Sequence, residues 1–373
     1  MAQPGSRLRY LGLENIESGT GRILNWGSDD KTQAGISTTF SFDASHVLFG
    51  KLRPYLNKVA LPESEGRCST EIIPLAPSEG IHREFLAYLL RLDTITAAAM
   101  KGVTGARMPR ANMRELMAMV VPVPPLGEQQ RIARTLRVKF ADLDRARKAL
   151  ADQLDAAETL PAAILREVFE RREVEGWHTQ TMAQCGEFLP AASISNAGDA
   201  RVVAVTSACL NEFSFSAGGL KPALMWHRDV ERAKPAVNEV FIARSNTAEL
   251  VGRATLFTGH SEDVAVSDLI IRFKPGAGLN AKFAARYMAY LFVTGHWRER
   301  ASGASGSMKK IGRGQLSATL LPVPQLSRQQ CEVEHLDRQL GAAEKLHASL
   351  SAQLAALDRY PAALLRDAFA GRL

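Results

Sequence analysis

Residues 122–170 read PVPPLGEQQRIARTLRVKFADLDRARKALADQLDAAETLPAAILREVFE, and residues 322–370 read PVPQLSRQQCEVEHLDRQLGAAEKLHASLSAQLAALDRYPAALLRDAFA. The two stretches align without a gap. Both open on Pro-Val-Pro. Both carry a leucine (Leu126, Leu326) and a glutamine pair (Gln129 and Gln130, Gln329 and Gln330), and both close on Pro-Ala-Ala-x-Leu-Arg-x-x-Phe. The period is far too long for a solenoid, so it marks a duplicated module, each copy a globular part followed by a long helix. In the first copy apolar residues fall at Leu136, Phe140, Leu143, Leu150, Leu154 and Ala157, the 3–4 spacing of a helix packed along a seam. The second copy gives Leu336, Leu340, Ala343, Leu350, Leu354 and Leu357, and the polar interruption falls at the same place in each, Arg147 and His347. A single stripe would predict a helix lying on its own domain. Two equivalent stripes predict helices, the first over residues 128–160, that pack against each other as a coiled-coil pair. Pro161 and Pro361 then suit the first turn of a further short helix, where a missing N–H does no harm.

The totals bound the rest. A chain of 373 residues can bury two ordinary cores, and 46% hydrophobic with 23% charged residues is a globular composition. No apolar run reaches the ~20 residues of a membrane span, and the opening MAQPGSRLRY has no signal-peptide core. The cysteines Cys68, Cys185, Cys209 and Cys331 are scattered without a C-x-x-C pair. That argues against zinc and against a disulfide framework, and it fits a cytoplasmic protein. The net charge of +7 permits a polyanionic partner without requiring one. By segment the charge is +2 over residues 1–121, +1 over 122–173, +4 over 174–321 and 0 over 322–373, so the globular parts are the better candidates for nucleic acid.

In the first globular part, short apolar runs alternate with turn signals: LRYLGLENI, FSFDASHVLFGKL, RPYLNKVAL and EIIPLA predict several short strands. Residues 82–102 have helical spacing, 102–113 read as an exposed Gly-, Pro- and Arg-bearing loop, and 115–124 return as an extended run. The second part, residues 174–321, repeats the plan with different surface residues. VNEVFIARSNTAELVGRATLF (237–257) takes the place of SHVLFGKLRPYLNKVAL (45–61), so that Lys51 corresponds to Arg244 and Lys58 to Arg253. The helix 282–301 matches 83–101, and the loop SGASGSMKKIGRGQL (302–316) matches GVTGARMPRANM. The scaffold repeats while the loops diverge, as expected of one architecture that recognises two targets.

On these residues the chain resembles the specificity subunits of type I restriction–modification systems. The resemblance rests on YLGLENIESGTG (10–21), VLFGKLRPYLNKVAL (47–61), ARSNTAELVGRA (243–254), the two PVPxLxxQQ stretches (122–130 and 322–330) and LLRDAFAGRL (364–373). It covers nearly the whole chain and implies an α+β fold in four parts: target-recognition domain 1 (1–121), helical spacer 1 (122–173), target-recognition domain 2 (174–321) and helical spacer 2 (322–373). The family's recognition domains each read one half of a bipartite double-stranded DNA site. Its helices pack antiparallel, set the spacer, and dock two methyltransferase (M) subunits, which bind S-adenosylmethionine; restriction–translocase (R) subunits, using ATP and Mg, join them. The specificity subunit itself carries no catalysis or cofactor, and no membrane is implied. One departure stands out: residues 175–200 lead into the second domain, whereas Tyr10 lies close to Met1, so the first domain is expected to lack the matching edge strand.

The chemistry of the residues agrees. No G-x-x-x-x-G-K-[ST] loop, [DNS]-P-P-[FYW] tetrapeptide, H-E-x-x-H pair or nuclease-like D…E-x-K cluster occurs, and the Gly19–Gly21 pair reads as a turn. Base reading needs Arg, Lys, Asn and small polar side chains on loops that enter a groove. In the first domain these are Lys101, Thr104, Arg107 and Arg110, with Lys51, Arg53, Tyr55 and Asn57 as a second edge. In the second they are Ser302, Ser305, Ser307, Lys309, Lys310 and Arg313, with Arg244, Ser245, Asn246 and Thr247 as the other edge. Trp26, Trp226 and Trp297 are expected to pack rather than touch DNA. Gln129, Gln130, Gln329 and Gln330 are expected to face the methyltransferase partners. A coiled-coil scaffold joining two protein-binding domains is the alternative reading; salt-sensitive DNA binding separates the two.

Overall fold

The computed structural model describes residues 8–26, 38–101, 103, 107–171, 177–190, 192–211, 213–303 and 308–373. The chain divides into two compact units, Met1–Gln153 with Leu350–Leu373, and Leu154–Ser349. Each unit joins one globular α+β part to portions of both long helices.

In the first unit, strand Val47–Gly50 lies between Val59–Ala60 and Ile72–Leu75, antiparallel to both, with Leu48 opposite Ala60 and Pro74. The two-residue alternation of a strand sends Leu48 to one face, with Leu11, Ile16, Phe42, Cys68 and Ile72. Val47 and Phe49 go to the other, with Ala87, Ile95 and Leu116. Both faces are covered, which is why VLFG has no polar residue. A second sheet sets Gly66–Ser69 between Tyr10–Leu11 and Thr39–Phe42. The second unit repeats the first of these sheets and orders the second differently, with its first strand in the middle. Val240–Ala243 lies between Ala254–Leu256 and Ile270–Pro275, and Ala200–Val205 lies between Lys221–Met225 and Val264–Val266. Val240 and Ile242 enter one core, Phe241 and Ala243 the other.

The repeats differ at one edge. Ile270–Pro275 has Gly186–Phe188 on its free side, and Leu320–Val323 pairs with His178–Thr181. Among the described residues of the first unit, Ile72–Leu75 has no strand on that side. The stretch corresponding to Leu320–Val323 forms no strand, and Val120 there is 98% exposed.

Several local expectations are corrected. The helix predicted over 82–102 is two helices, Arg83–Leu90 and Asp93–Lys101. RPYLN is not strand: Pro54–Leu56 is a 3-10 turn and only Val59–Ala60 is extended. The run predicted as extended from Glu115 begins as a helix, Met113–Met117, because the Asn112 side chain accepts from the backbone N–H of Arg114 and Glu115 and caps it. Pro361 opens a new helix, Tyr360–Phe369, as expected, but Pro161 does not: the first long helix runs unbroken from Leu126 to Glu170. Proline leaves one i→i−4 bond unmade there, and the rest of the ladder carries the helix through.

The long helices pack antiparallel in both units. In the first, Ile132, Ala133 and Leu136 meet Leu365 and Ala368; in the second, Leu165, Val168 and Phe169 meet Val333, Leu336 and Leu340. The polar interruption of each stripe faces an acid at the equivalent place of the opposing repeat: Arg147–Asp358 at 2.8 Å, just past the helix end at Leu357, and His347–Glu158 at 3.7 Å. The closing phenylalanine of each repeat is an anchor. Phe369 lies 5.1 Å from Phe85, and Phe169, fully buried, lies 5.5 Å from Phe283 and 5.1 Å from Tyr287. A further ion pair ties each globular part to its helix with reversed polarity. Arg137 meets Glu84 at 3.1 Å, whereas Asp337 meets Lys282 at 2.5 Å and Arg286 at 2.8 Å.

Candidate nucleic-acid interface

The two sequence-distant edges singled out in each globular part come together by backbone pairing. In the second unit Ser245–Asn246 pairs antiparallel with Lys309–Lys310, so Asn246 lies opposite Lys309; the Ile311 N–H donates to the Arg244 carbonyl at 2.9 Å. In the first unit Leu52 bridges Arg110, the Arg53 N–H donates to Pro109 O at 2.7 Å, and the Ala111 N–H donates to Lys51 O at 2.8 Å. Lys51 and Arg244 thus occupy equivalent places beside their loops, as their alignment requires.

The side chains at these edges divide into free and committed. In the first unit Arg53, Tyr55, Lys101 and Arg107 are exposed and Lys51 is half-buried. Arg110 is committed: its guanidinium donates to both oxygens of Glu71 at 2.8–3.1 Å, which pushes its pKa further up and holds it as a brace for the loop. Asn57 is corrected outright. Its amide donates inward to Arg91 O at 2.8 Å and its Oδ1 is buried, so it presents nothing to a ligand. Its role is conformational. Arg53 (φ 50°) and Asn57 (φ 47°) are both left-handed, a conformation costing a non-glycine residue of order 1–3 kcal/mol, and they bracket the 3-10 turn between them. Thr104 lies outside the described residues.

In the second unit Arg244, Thr247, Lys310 and Arg313 are exposed, while Asn246 and Lys309 are half-buried. The Arg313 guanidinium donates to Leu189 O at 2.7 Å, which steers it along the surface, and Asn246 Oδ1 accepts from the Thr247 N–H at 2.9 Å. Ser245 is buried and Ser302 is exposed; Ser305 and Ser307 lie outside the described residues. Trp297 is buried, as expected, and Trp26 stacks with Phe42 at 6.1 Å. Trp226, expected to pack, stays 37% exposed with Arg228 5.6 Å above its ring, a cation–aromatic pair with no cue in the sequence.

The glutamines split by position. Gln130 and Gln330 are exposed, but Gln129 and Gln329 are buried and cannot face a partner. Gln129 Oε1 accepts from His82 N at 2.8 Å while its amide donates to Gly80 O and Pro124 O at 2.9 and 2.8 Å. Gln329 does the same with Asn280 N at 2.8 Å, Gly278 O at 3.0 Å and Pro324 O at 2.7 Å. Each is a key that fastens the loop before a globular-part helix to the start of a long helix. Their sequence signal was real, a repeated pair, but the pair points one residue in and one out.

Among the described residues no group of His, Cys, Asp or Glu could hold a metal ion, and no helix is long and apolar enough to cross a membrane. Burial pushes the Cys68 thiol up to about 12, so it is a packing residue rather than a nucleophile.

Two related α+β units thus lie on antiparallel helices, each with a cationic paired edge. Residues 35–153 match the family model described as the type I restriction modification DNA specificity domain. Over 172 residues the chain is 28% identical to the type I restriction enzyme EcoDI specificity subunit of Escherichia coli, a match spanning 46% of this chain and 38% of that protein's length. Among solved structures, a chain described under complex assembly and conformational transition of the type I R-M system superposes with a TM-score of 0.79 at 21% identity, over 99% of this chain and 93% of the other. The HsdS subunit from Thermoanaerobacter tengcongensis gives 0.68 at 20% identity, over 99% and 92%. Over residues 35–153 the chain is thus similar to type I restriction modification DNA specificity domains, and its fold is shared with these two solved chains.

Proposed function

We propose that this protein is the non-catalytic DNA-specificity subunit of a cytoplasmic type I restriction–modification complex, with residues 1–121 and 174–321 each reading one half of a bipartite site. The observation that carries this reading is the repeated construction of the edge. In both units a loop far along the chain is stitched by backbone hydrogen bonds to the Lys51 or Arg244 segment, on a scaffold whose core repeats while its exposed loop residues do not. Arg53, Lys101, Arg107, Arg244, Lys310 and Arg313 supply phosphate and base contacts, and Lys51, Asn246, Thr247 and Lys309 line the same edges. The helices 122–173 and 322–373 hold the recognition domains and dock two methyltransferase subunits. S-adenosylmethionine belongs to those partners, and ATP and Mg to the restriction subunits that join them. Gln130 and Gln330, exposed at equivalent places, face the methyltransferase; replacing both by alanine is expected to weaken assembly, and intact assembly would overturn that assignment.

The test of the whole reading is a genome-wide map of N6-methyladenine in cells carrying the chain with its methyltransferase partner and in cells lacking only the chain. A two-part motif with a fixed gap is expected to vanish with the chain. Methylation that persists unchanged removes the specificity role.

A further inference from the structure

The two units present unlike recognition elements at equivalent places. After Arg244 the second unit forms a polar ribbon, Ser245–Asn246 against Lys309–Lys310, and among its described residues 244–251 no backbone is left-handed. After Lys51 the first unit instead forms Arg53-Pro54-Tyr55-Leu56-Asn57, a turn held at both ends. At its start Arg53 N donates to Pro109 O at 2.7 Å, which ties it to the recognition loop. At its end Asn57 Nδ2 donates to Arg91 O at 2.8 Å, and the Gly19 N–H donates to Leu56 O at 3.0 Å. Arg91, 6% exposed, returns the contact by donating to Gly19 O at 2.6 Å, and its guanidinium lies 4.8 Å from the Phe140 ring centroid. Pro54 is buried beneath the turn, while Tyr55 at its crest is 53% exposed. Asparagine adopts the left-handed region readily, but arginine does not, so the φ of 50° at Arg53 is held by its surroundings. The held turn presents one exposed aromatic ring in a fixed place.

Building on the DNA-specificity reading, we propose that Tyr55 is a specificity-determining residue of the first recognition domain. Its ring meets a base of the half-site read by residues 1–121, by stacking or by apolar contact in the groove, with the exposed cation Arg53 two positions before it in the same turn. At the equivalent place the second unit carries the Lys309–Lys310 ribbon, which reads the other half-site. Aromatic side chains that stack on bases or wedge between them gain contact energy beyond phosphate attraction. Because the turn is fixed before DNA arrives, the ring is presented at little ordering cost.

The test uses the full chain with its methyltransferase partner, comparing N6-methyladenine motifs of wild type, Tyr55→Ala, Tyr55→Phe and Lys310→Ala in cells, and melting temperatures of the purified complexes. Tyr55→Ala is expected to relax one half-site, with discrimination there falling about 5- to 100-fold, the range of a lost base–aromatic contact. Tyr55→Phe keeps the wild-type motif, Lys310→Ala relaxes the opposite half-site, and the melting temperatures stay unchanged. A Tyr55→Ala motif identical to wild type, or an even loss of methylation that leaves both half-sites intact in sequence, overturns the inference while leaving the specificity role standing. If the wild-type chain directs no two-part motif at all, the specificity role fails and the inference with it.

Discussion

Replacing Gln329 by alanine removes three hydrogen bonds at one stroke from a side chain that is completely buried. What remains is the N–H of Asn280 and the carbonyls of Gly278 and Pro324, brought together at the junction of loop and helix with nothing of the right shape between them. A buried group that loses its partner costs about 1–3 kcal/mol, with carbonyls at the lower end because strained geometry or a water can satisfy them. Allowing for partial relaxation, the junction is expected to lose about 2–4 kcal/mol. For a unit of this size each kcal/mol lowers the melting temperature by about 2–4 °C, so a fall of roughly 4–16 °C follows. Gln129→Ala should behave alike in the first unit, because its three bonds are the same three. The informative partner variant is Gln329→Glu. It keeps the shape and the acceptor for Asn280 but turns both donor positions into acceptors aimed at carbonyls, so it should be no milder than alanine. Calorimetry on the purified chain, with hydrogen exchange at Asn280 as a local readout, measures both. A fall of less than about 2 °C for Gln329→Ala, or full stability for Gln329→Glu, refutes the reasoning that these glutamines are structural keys.

Phe169→Ala empties a fully buried site against Phe283 and Tyr287 and should cost about 3–5 kcal/mol, read by urea unfolding; a cost below 1 kcal/mol would mean the repeat's closing phenylalanine is not an anchor. For Asp337, partial burial pushes the carboxyl pKa up, but hydrogen bonds from Lys282 and Arg286, with their charges, outweigh it and leave the pKa below its ordinary value. A depressed carboxylate pKa contributes stability that is present above the unfolded value near 4 and is lost as pH falls through the folded one, so melting temperature should drop on acidification below about pH 5. Asp337→Asn should flatten that part of the profile, and an unchanged profile would dismiss the clamp. Inserting four residues after Ala151, about one helical turn or 6 Å, should lengthen the gap of the methylated motif by one or two base pairs at about 3.4 Å each; an unchanged gap would end the idea that the helices act as a ruler.

The sequence by itself determined the duplicated plan, the two long helices and their mutual packing, because those rest on spacing: a 3–4 stripe repeated with its one polar interruption fixes which face is buried and that a like face must cover it. It also singled out two cationic edges of each globular part, from Gly-, Arg- and Lys-bearing stretches that alternate with apolar runs. The tertiary structure alone decided which of those side chains are free. Arg110 and Arg107 sit three positions apart in one loop, yet Glu71, far away in sequence, captures only Arg110. Asn57 looked like a base reader and is instead the inward brace of a left-handed turn, a role set by the Arg91 carbonyl that folding brings beside it. Gln129 and Gln130 are indistinguishable as letters, but adjacent positions on a helix point about 100° apart, so one enters the junction and the other faces solvent. Periodicity is a local property and survives in the sequence. The partner of a particular polar group is a long-range property, and only the assembled chain supplies it.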